Sequence, residues 1–203
     1  MDPIYYVEAL QRALELPSGQ HLKMTCMTLD EADERANQFL RIRDAHREFR
    51  TLEIKTDGMD IVIRNLVLDV GSCCSLEVSS EEDGYPIEAA VQPEASAGWR
   101  AAVPGTQTVR LIFDEPQNIR RIWLVFEELE NTRTQEFVLR SHSDKGNFRE
   151  IVRQQWNFSP SGSVQEIEDY AVELFDVKVL EIVIVPDKNG GEARASLRRL
   201  RLA

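Results

Sequence analysis

The feature that most constrains the fold is a series of short apolar runs, separated by turn-forming residues, that begins after residue 66. Apolar and polar residues alternate along these runs, which is typical of β-strands. They recur at about ten-residue spacing, and Pro, Gly, Asn, Asp and Ser lie between them. This spacing of short strands and turns predicts an antiparallel sandwich. The predicted strands are 108–113, 119–126, 135–140, 148–156, 170–174, 179–185 and 195–202.

The first part of the chain has a different pattern of apolar residues, which predicts a small α+β segment. Apolar residues at three- and four-residue steps over 4–14 predict a helix, and the alternation over 20–27 predicts a strand. A capping box that begins at Thr28 starts a second helix, from Leu29 to Glu48. The Asp57-Gly58 turn then predicts a hairpin, because this pair tolerates the positive φ of a tight turn.

The change in the pattern of apolar residues predicts two parts, 1–66 (helix, strand, helix, β-hairpin) and 67–203 (β-sandwich). The net charge of −11 opposes broad binding to nucleic-acid phosphates, so no nucleic-acid partner is expected. The N-terminus does not resemble a signal peptide, and no apolar run approaches the roughly 18 residues of a membrane span. We therefore expect a cytoplasmic location and no membrane span.

The sequence predicts a protein that is not an enzyme. The three histidines lie in no motif that supplies a metal, a nucleophile or a phosphate site. The three cysteines are an odd number, and the adjacent pair Cys73 and Cys74 does not have the spacing of a zinc site. The acidic residues Glu166, Glu168 and Asp169 are interpreted as part of a solvated loop before a strand.

Several segments of the second part carry a family resemblance. They contain a Tyr85-Pro86 turn, the Trp99 region, a strand that ends at Asp114 before Pro116, and a strand–turn–strand unit over 136–152. With these segments, residues 67–203 resemble discoidin domains, also called coagulation factor 5/8 C-terminal type domains, which are galactose-binding-like jelly rolls. The resemblance implies a mainly β fold: an antiparallel jelly-roll β-sandwich preceded by the small α+β segment.

The resemblance also raises the question of calcium. Many members of the family hold a structural calcium ion near an Asp-Gly pair that precedes the tryptophan. Here the run 91–98 precedes Trp99 and contains a single acidic residue, Glu94, whereas calcium takes six or more oxygen ligands. The sequence therefore predicts no cofactor, and calcium stays an open alternative.

The function implied by the resemblance is that of a non-catalytic module that binds carbohydrate through loops at one end of the sandwich. Sugar binders of this shape set an aromatic face against the sugar ring, while polar side chains bind its hydroxyl groups. In this interpretation Trp99 is exposed in a loop, and Trp123 belongs to the core. The predicted ligand-binding residues are Tyr85, Trp99, Arg100, Trp156 and Asn157.

Two alternatives concern the partner. Arg149 and Arg153 project from one face of a predicted strand, as do Arg199 and Arg201, and such stripes would suit an acidic glycan or an acidic protein. Pairing with glutamates of neighbouring strands is the structural interpretation of the same arginines. The rival function is a protein–protein interaction or assembly scaffold in the cytoplasm, with the N-terminal helix and hairpin docking the partner.

Overall fold

The computed structural model describes residues 3–16, 20–46, 49–92, 97–143 and 147–203. The chain divides into two compact units, Met1–Asp69 with Ala203, and Val70–Leu202. Strands hold 52% of the residues and helices 20%, which confirms the mainly β fold class. In the described ranges, no helix is both long enough and apolar enough to cross a membrane.

In its described residues, the first unit contains two helices and three strands: α1 (Pro3–Leu14), β1 (His21–Thr25), α2 (Leu29–Ala45), β2 (Leu52–Asp57) and β3 (Asp60–Asn65). The strands form an antiparallel sheet in the order β1-β3-β2. The Thr28 hydroxyl caps α2 by accepting a hydrogen bond from the Glu31 amide (3.1 Å). Helix α2 ends at Ala45 rather than at the predicted Glu48, and residues 47–48 lie outside the described ones.

The core of the first unit contains apolar side chains from both helices and from the sheet. Leu10 of α1, Phe39 of α2 and Ile61 of β3 have no exposed surface and belong to one cluster. Full burial of each such side chain stabilises the fold by about 1.5–3 kcal/mol. Gly58 takes a φ of +60° in the predicted hairpin turn.

The second unit is an antiparallel sandwich that has two very short helices in its described residues. Its elements are α3 (Val70–Cys73), β4 (Cys74–Val78), α4 (Glu88–Val91), β5 (Trp99–Pro104), β6 (Gln107–Glu127), β7 (Arg133–His142), β8 (Arg149–Phe158), β9 (Gln165–Val185), β10 (Arg194–Leu197) and β11 (Arg199–Leu202). The large sheet has the order β11-β6-β9-β7-β8, with β4 also paired to β6, and β10 pairs with β5 in a small second sheet.

Two long strands correct the predicted strand pattern. β6 and β9 have 21 residues each, and each replaces two of the predicted shorter strands. The register of their pairing shifts between Ile112 and Arg121, so bulges bend the ladder without ending it. At this bend Asp176 has a φ of +51°, and its amide donates to Asn118 Oδ1 (3.1 Å). The predicted turn over 114–118 is therefore part of a strand.

Burial along β6 and β9 corrects two further predictions. Ile122 and Leu124 are fully buried, but Trp123 between them is only half-buried, because successive strand residues point to opposite faces. The predicted solvated loop with Glu168 and Asp169 is part of β9. Glu168 is buried, and Asp169 forms two hydrogen bonds with the Arg121 guanidinium (2.6 and 2.7 Å).

Candidate functional site

A groove of about 660 Å³ lies on the second unit where several strands begin or end. Four segments line it: the turn over 82–85, the start of β5, the loop that links β6 to β7, and the stretch around β10. The lining side chains are mostly charged or polar. Ligand sites are generally concave, and a lining of hydrogen-bonding groups suits a polar ligand.

The pairing of β5 with β10 brings two distant parts of the chain together in the groove. Trp99 lies opposite Leu197, and Arg100 lies opposite Ser196. Gly98 precedes this pair with a φ of +98°, and a Cβ atom there would lie 2.8 Å from the Arg198 Cα atom. Both the conformation and the space therefore require glycine, which lets the two backbones approach closely.

The turn over 82–85 is fixed to β5 by backbone hydrogen bonds. The Tyr85 amide donates to the Glu82 carbonyl (2.9 Å), and the Arg100 amide donates to the Tyr85 carbonyl (3.2 Å). The Arg100 guanidinium lies over the Tyr85 ring, 4.0 Å from its centroid, and donates to the Glu82 carboxylate. This hydrogen bond raises the pKa of Arg100. Arg194 contacts the same carboxylate at 3.2 Å, so Glu82 orients two arginines.

The β6–β7 loop is ordered around one carboxylate. Glu128 accepts hydrogen bonds from the Glu130 amide (2.9 Å), the Asn131 amide (3.0 Å) and Arg133 Nε (2.7 Å). Burial raises the pKa of Glu128, but these donors outweigh it, so that the pKa lies below the ordinary value. Arg133 is itself buried and lies over the Phe158 ring. The loop therefore presents the exposed Glu130 and Asn131 on a supported backbone.

The structure brings three of the five predicted site residues together. Tyr85, Trp99 and Arg100 line the groove, whereas Trp156 and Asn157 lie on β8 and do not. The Asn157 side chain instead accepts a hydrogen bond from the Thr134 hydroxyl (2.8 Å).

The prediction that Trp99 is exposed is wrong. Its side chain is only 1% exposed, and its indole N–H donates to the Ser80 carbonyl (3.2 Å). Trp99 and Arg100 both belong to β5 rather than to a loop, and alternation along this strand turns Trp99 inward and Arg100 outward. Because Arg100 also covers one face of Tyr85, hydrogen-bonding groups dominate the groove.

The groove also contains polar residues that were not predicted from the sequence. The acid-rich run between β6 and β7 could have indicated the residues of this loop, because charged residues between two strands favour an exposed loop. No local signal places residues 192–198 beside residues 97–100. The missed residues are Glu82, Glu127, Glu128, Glu130, Asn131 and Glu192.

Arg140 on β7 and Arg153 on β8 favour the structural interpretation, because each is paired with glutamates. Arg153 contacts Glu136 (3.0 Å) and Glu150 (2.8 Å), and Arg140 contacts the buried Glu181 (2.7 Å). Exposed ion pairs such as Arg153–Glu150 contribute about 0–1 kcal/mol each. Among the described residues, no group of three or more His, Cys, Asp or Glu side chains is arranged to hold a metal ion. Glu94, the acidic residue considered for calcium, lies outside these residues.

Comparisons with solved structures define the class of fold. The second unit has the discoidin-like, galactose-binding-like jelly roll, as predicted for residues 67–203. One similar structure is the module CBM32-3 from a family 31 glycoside hydrolase of Clostridium perfringens, with a TM-score of 0.52 and 15% identity. The match covers 67% of this chain and 93% of that module.

A second similar structure is the C-terminal domain of a chitobiase from Bacteroides fragilis. Its TM-score is 0.51 at 15% identity, and the match covers 68% of this chain and 96% of that domain. No protein-family profile and no curated protein matches the sequence. At this identity the likeness establishes the fold.

Proposed function

We propose that this protein is a non-catalytic carbohydrate-binding module and that the groove beside β5 and β10 is its binding site. The observation that carries the proposal is the placement of Arg100, which Glu82 and Tyr85 hold in position at the groove surface. The fold supports the proposal, since the similar Clostridium perfringens structure is named as a carbohydrate-binding module.

The chemistry of the groove suits a ligand rich in hydroxyl groups. A sugar hydroxyl both donates and accepts hydrogen bonds, so it needs acceptors and donors in one site. The carboxylates of Glu130 and Glu192 accept, Arg194 donates, and the Asn131 amide does both. A site of this kind binds through the edges of the sugar ring rather than through stacking.

A glycan-array screen of the purified protein tests the proposal, followed by titration calorimetry on the glycans that bind. We expect Arg100→Ala to weaken binding by about tenfold or more, because a charge-assisted hydrogen bond contributes about 1.5–3 kcal/mol. Asn131→Ala removes a neutral contact and is expected to weaken binding about two- to tenfold.

The chain offers matched controls for both variants. Arg153 is a half-exposed, ion-paired arginine on β8, and Asn157 is an exposed asparagine on the same strand. Neither residue lines the groove, so Arg153→Ala and Asn157→Ala should bind like the wild type. The proposal is wrong if no glycan binds, or if the groove variants retain full affinity.

A further inference from the structure

The charges that line the groove do not balance. Three arginines, Arg100, Arg194 and Arg198, face five glutamates, which gives a formal charge of 3 − 5 = −2. The buried Arg133, which lies behind the loop and contacts Glu128, offsets one negative charge. The groove surface therefore keeps an excess of negative charge.

Each of the three arginines already has an acidic partner. Arg100 and Arg194 share Glu82, and Arg198 lies 3.7 Å from the Glu127 carboxylate. Arg198 also donates to the Ala97 carbonyl (2.7 Å). The positive charge in the groove is thus largely neutralised within the protein.

Two carboxylates of the groove have no ion-pair partner among the described residues. Glu130 and Glu192 are exposed residues of the groove lining, and neither forms an ion pair within the ranges that the structure describes. Glu130 and Arg100 both belong to the groove lining, and the negative charge of Glu130 contributes to the raised pKa of Arg100. An incoming ligand therefore meets free carboxylates beside neutralised arginines.

We infer that the groove selects sugars that carry a free, protonated amino group, with Glu130 and Glu192 as the residues that recognise the ammonium. This inference rests on the proposed function and names its ligand class. A negative site attracts an ammonium group and repels a uronic acid or a sulfated sugar. The acidic glycan that the predicted arginine stripes would suit is accordingly disfavoured.

The test compares a glucosamine tetramer with its fully N-acetylated counterpart by titration calorimetry at low salt. N-acetylation removes the positive charge and keeps the sugar ring. We expect the amine form to bind at least about tenfold more tightly, which corresponds to about 1.4 kcal/mol. The difference should shrink at 1 M salt, where charges are screened within about 3 Å.

The double variant Glu130→Gln/Glu192→Gln locates the effect. It removes both charges while it keeps side-chain size, and we expect it to abolish the preference for the amine form. Glu173→Gln, which changes an exposed glutamate of β9 outside the groove, should keep the preference. Thermal melts of all variants exclude a loss of folding.

The outcomes separate this inference from the proposed function. If both tetramers bind equally, or if the double variant keeps the preference, the inference is overturned while carbohydrate binding stands. The inference is also overturned if the array shows binding only to neutral or acidic glycans. If neither tetramer nor any array glycan binds, both proposals fail.

Discussion

Truncation of Trp99 tests the packing of the sandwich directly beneath the groove. The side chain is 1% exposed, and its indole N–H donates to the Ser80 carbonyl. Trp99→Ala therefore leaves a large cavity and removes the donor for that carbonyl. Loss of a buried Trp costs about 3–5 kcal/mol of unfolding free energy. For a protein of this size the melting temperature should fall by roughly 6–20 °C.

Thermal and urea unfolding followed by circular dichroism measures this loss. Trp99→Phe refills most of the volume but not the hydrogen bond, so we expect a loss of about 1–3 kcal/mol. Trp156→Ala is the matched control, because Trp156 is only half-buried on β8, and it should cost clearly less than Trp99→Ala. A Trp99→Ala protein that melts like the wild type but no longer binds glycans would refute the reasoning, since it would make Trp99 an exposed binding platform.

Three further predictions concern other parts of the second unit. Gly98→Ala should destabilise the fold by about 2–4 kcal/mol in urea unfolding, because the residue has a φ of +98° and a new Cβ would clash with Arg198; unchanged stability would contradict the close approach of β5 and β10. Burial raises the pKa of Glu128, but its hydrogen bonds hold the pKa below the ordinary value of a glutamate. Its stabilising contribution is therefore full above that ordinary pKa and is lost as the pH falls through the lower pKa of the folded state. Glu128→Gln should therefore lower the urea midpoint at pH 7 but have less effect at pH 3, and an equal effect at both would contradict this reasoning. Burial raises the pKa of Cys74 to about 12, so its thiol should react with iodoacetamide much more slowly than a free cysteine peptide at pH 8, as mass spectrometry of the modified peptides would show.

The parts of the fold that depend on local chemistry were predictable. The Thr28 cap and the Asp57-Gly58 turn act within a few residues, and both occur where the sequence predicted them. The sequence did not indicate that β6 continues through the bend near Pro116. Turn-forming residues usually end a strand, and only pairing with β9 keeps this segment in the sheet through its register shifts.

The candidate site was only partly predictable for the same reason. Tyr85 and Arg100 stand out as an aromatic and a cation, and a cation–π contact joins them in the groove. Arg194 meets Glu82 only because β10 pairs with β5, which joins segments more than 90 residues apart in sequence. The exposure of Trp99 depended on whether the residues after Gly98 form a loop or a strand. Composition favours a loop, whereas pairing with β10 makes Trp99–Pro104 a strand.

The most direct test of the carbohydrate site is an NMR titration of the ¹⁵N-labelled protein with the tightest-binding glycan of the array. The three indole N–H signals report on distinct places, because Trp99 lies under the groove, whereas Trp123 and Trp156 belong to β6 and β8. The proposed site predicts shifts of the Trp99 indole and of the amides of residues 82–85, 97–100 and 128–131. Shifts confined to Trp156, Asn157 and their neighbours on β8 would contradict it.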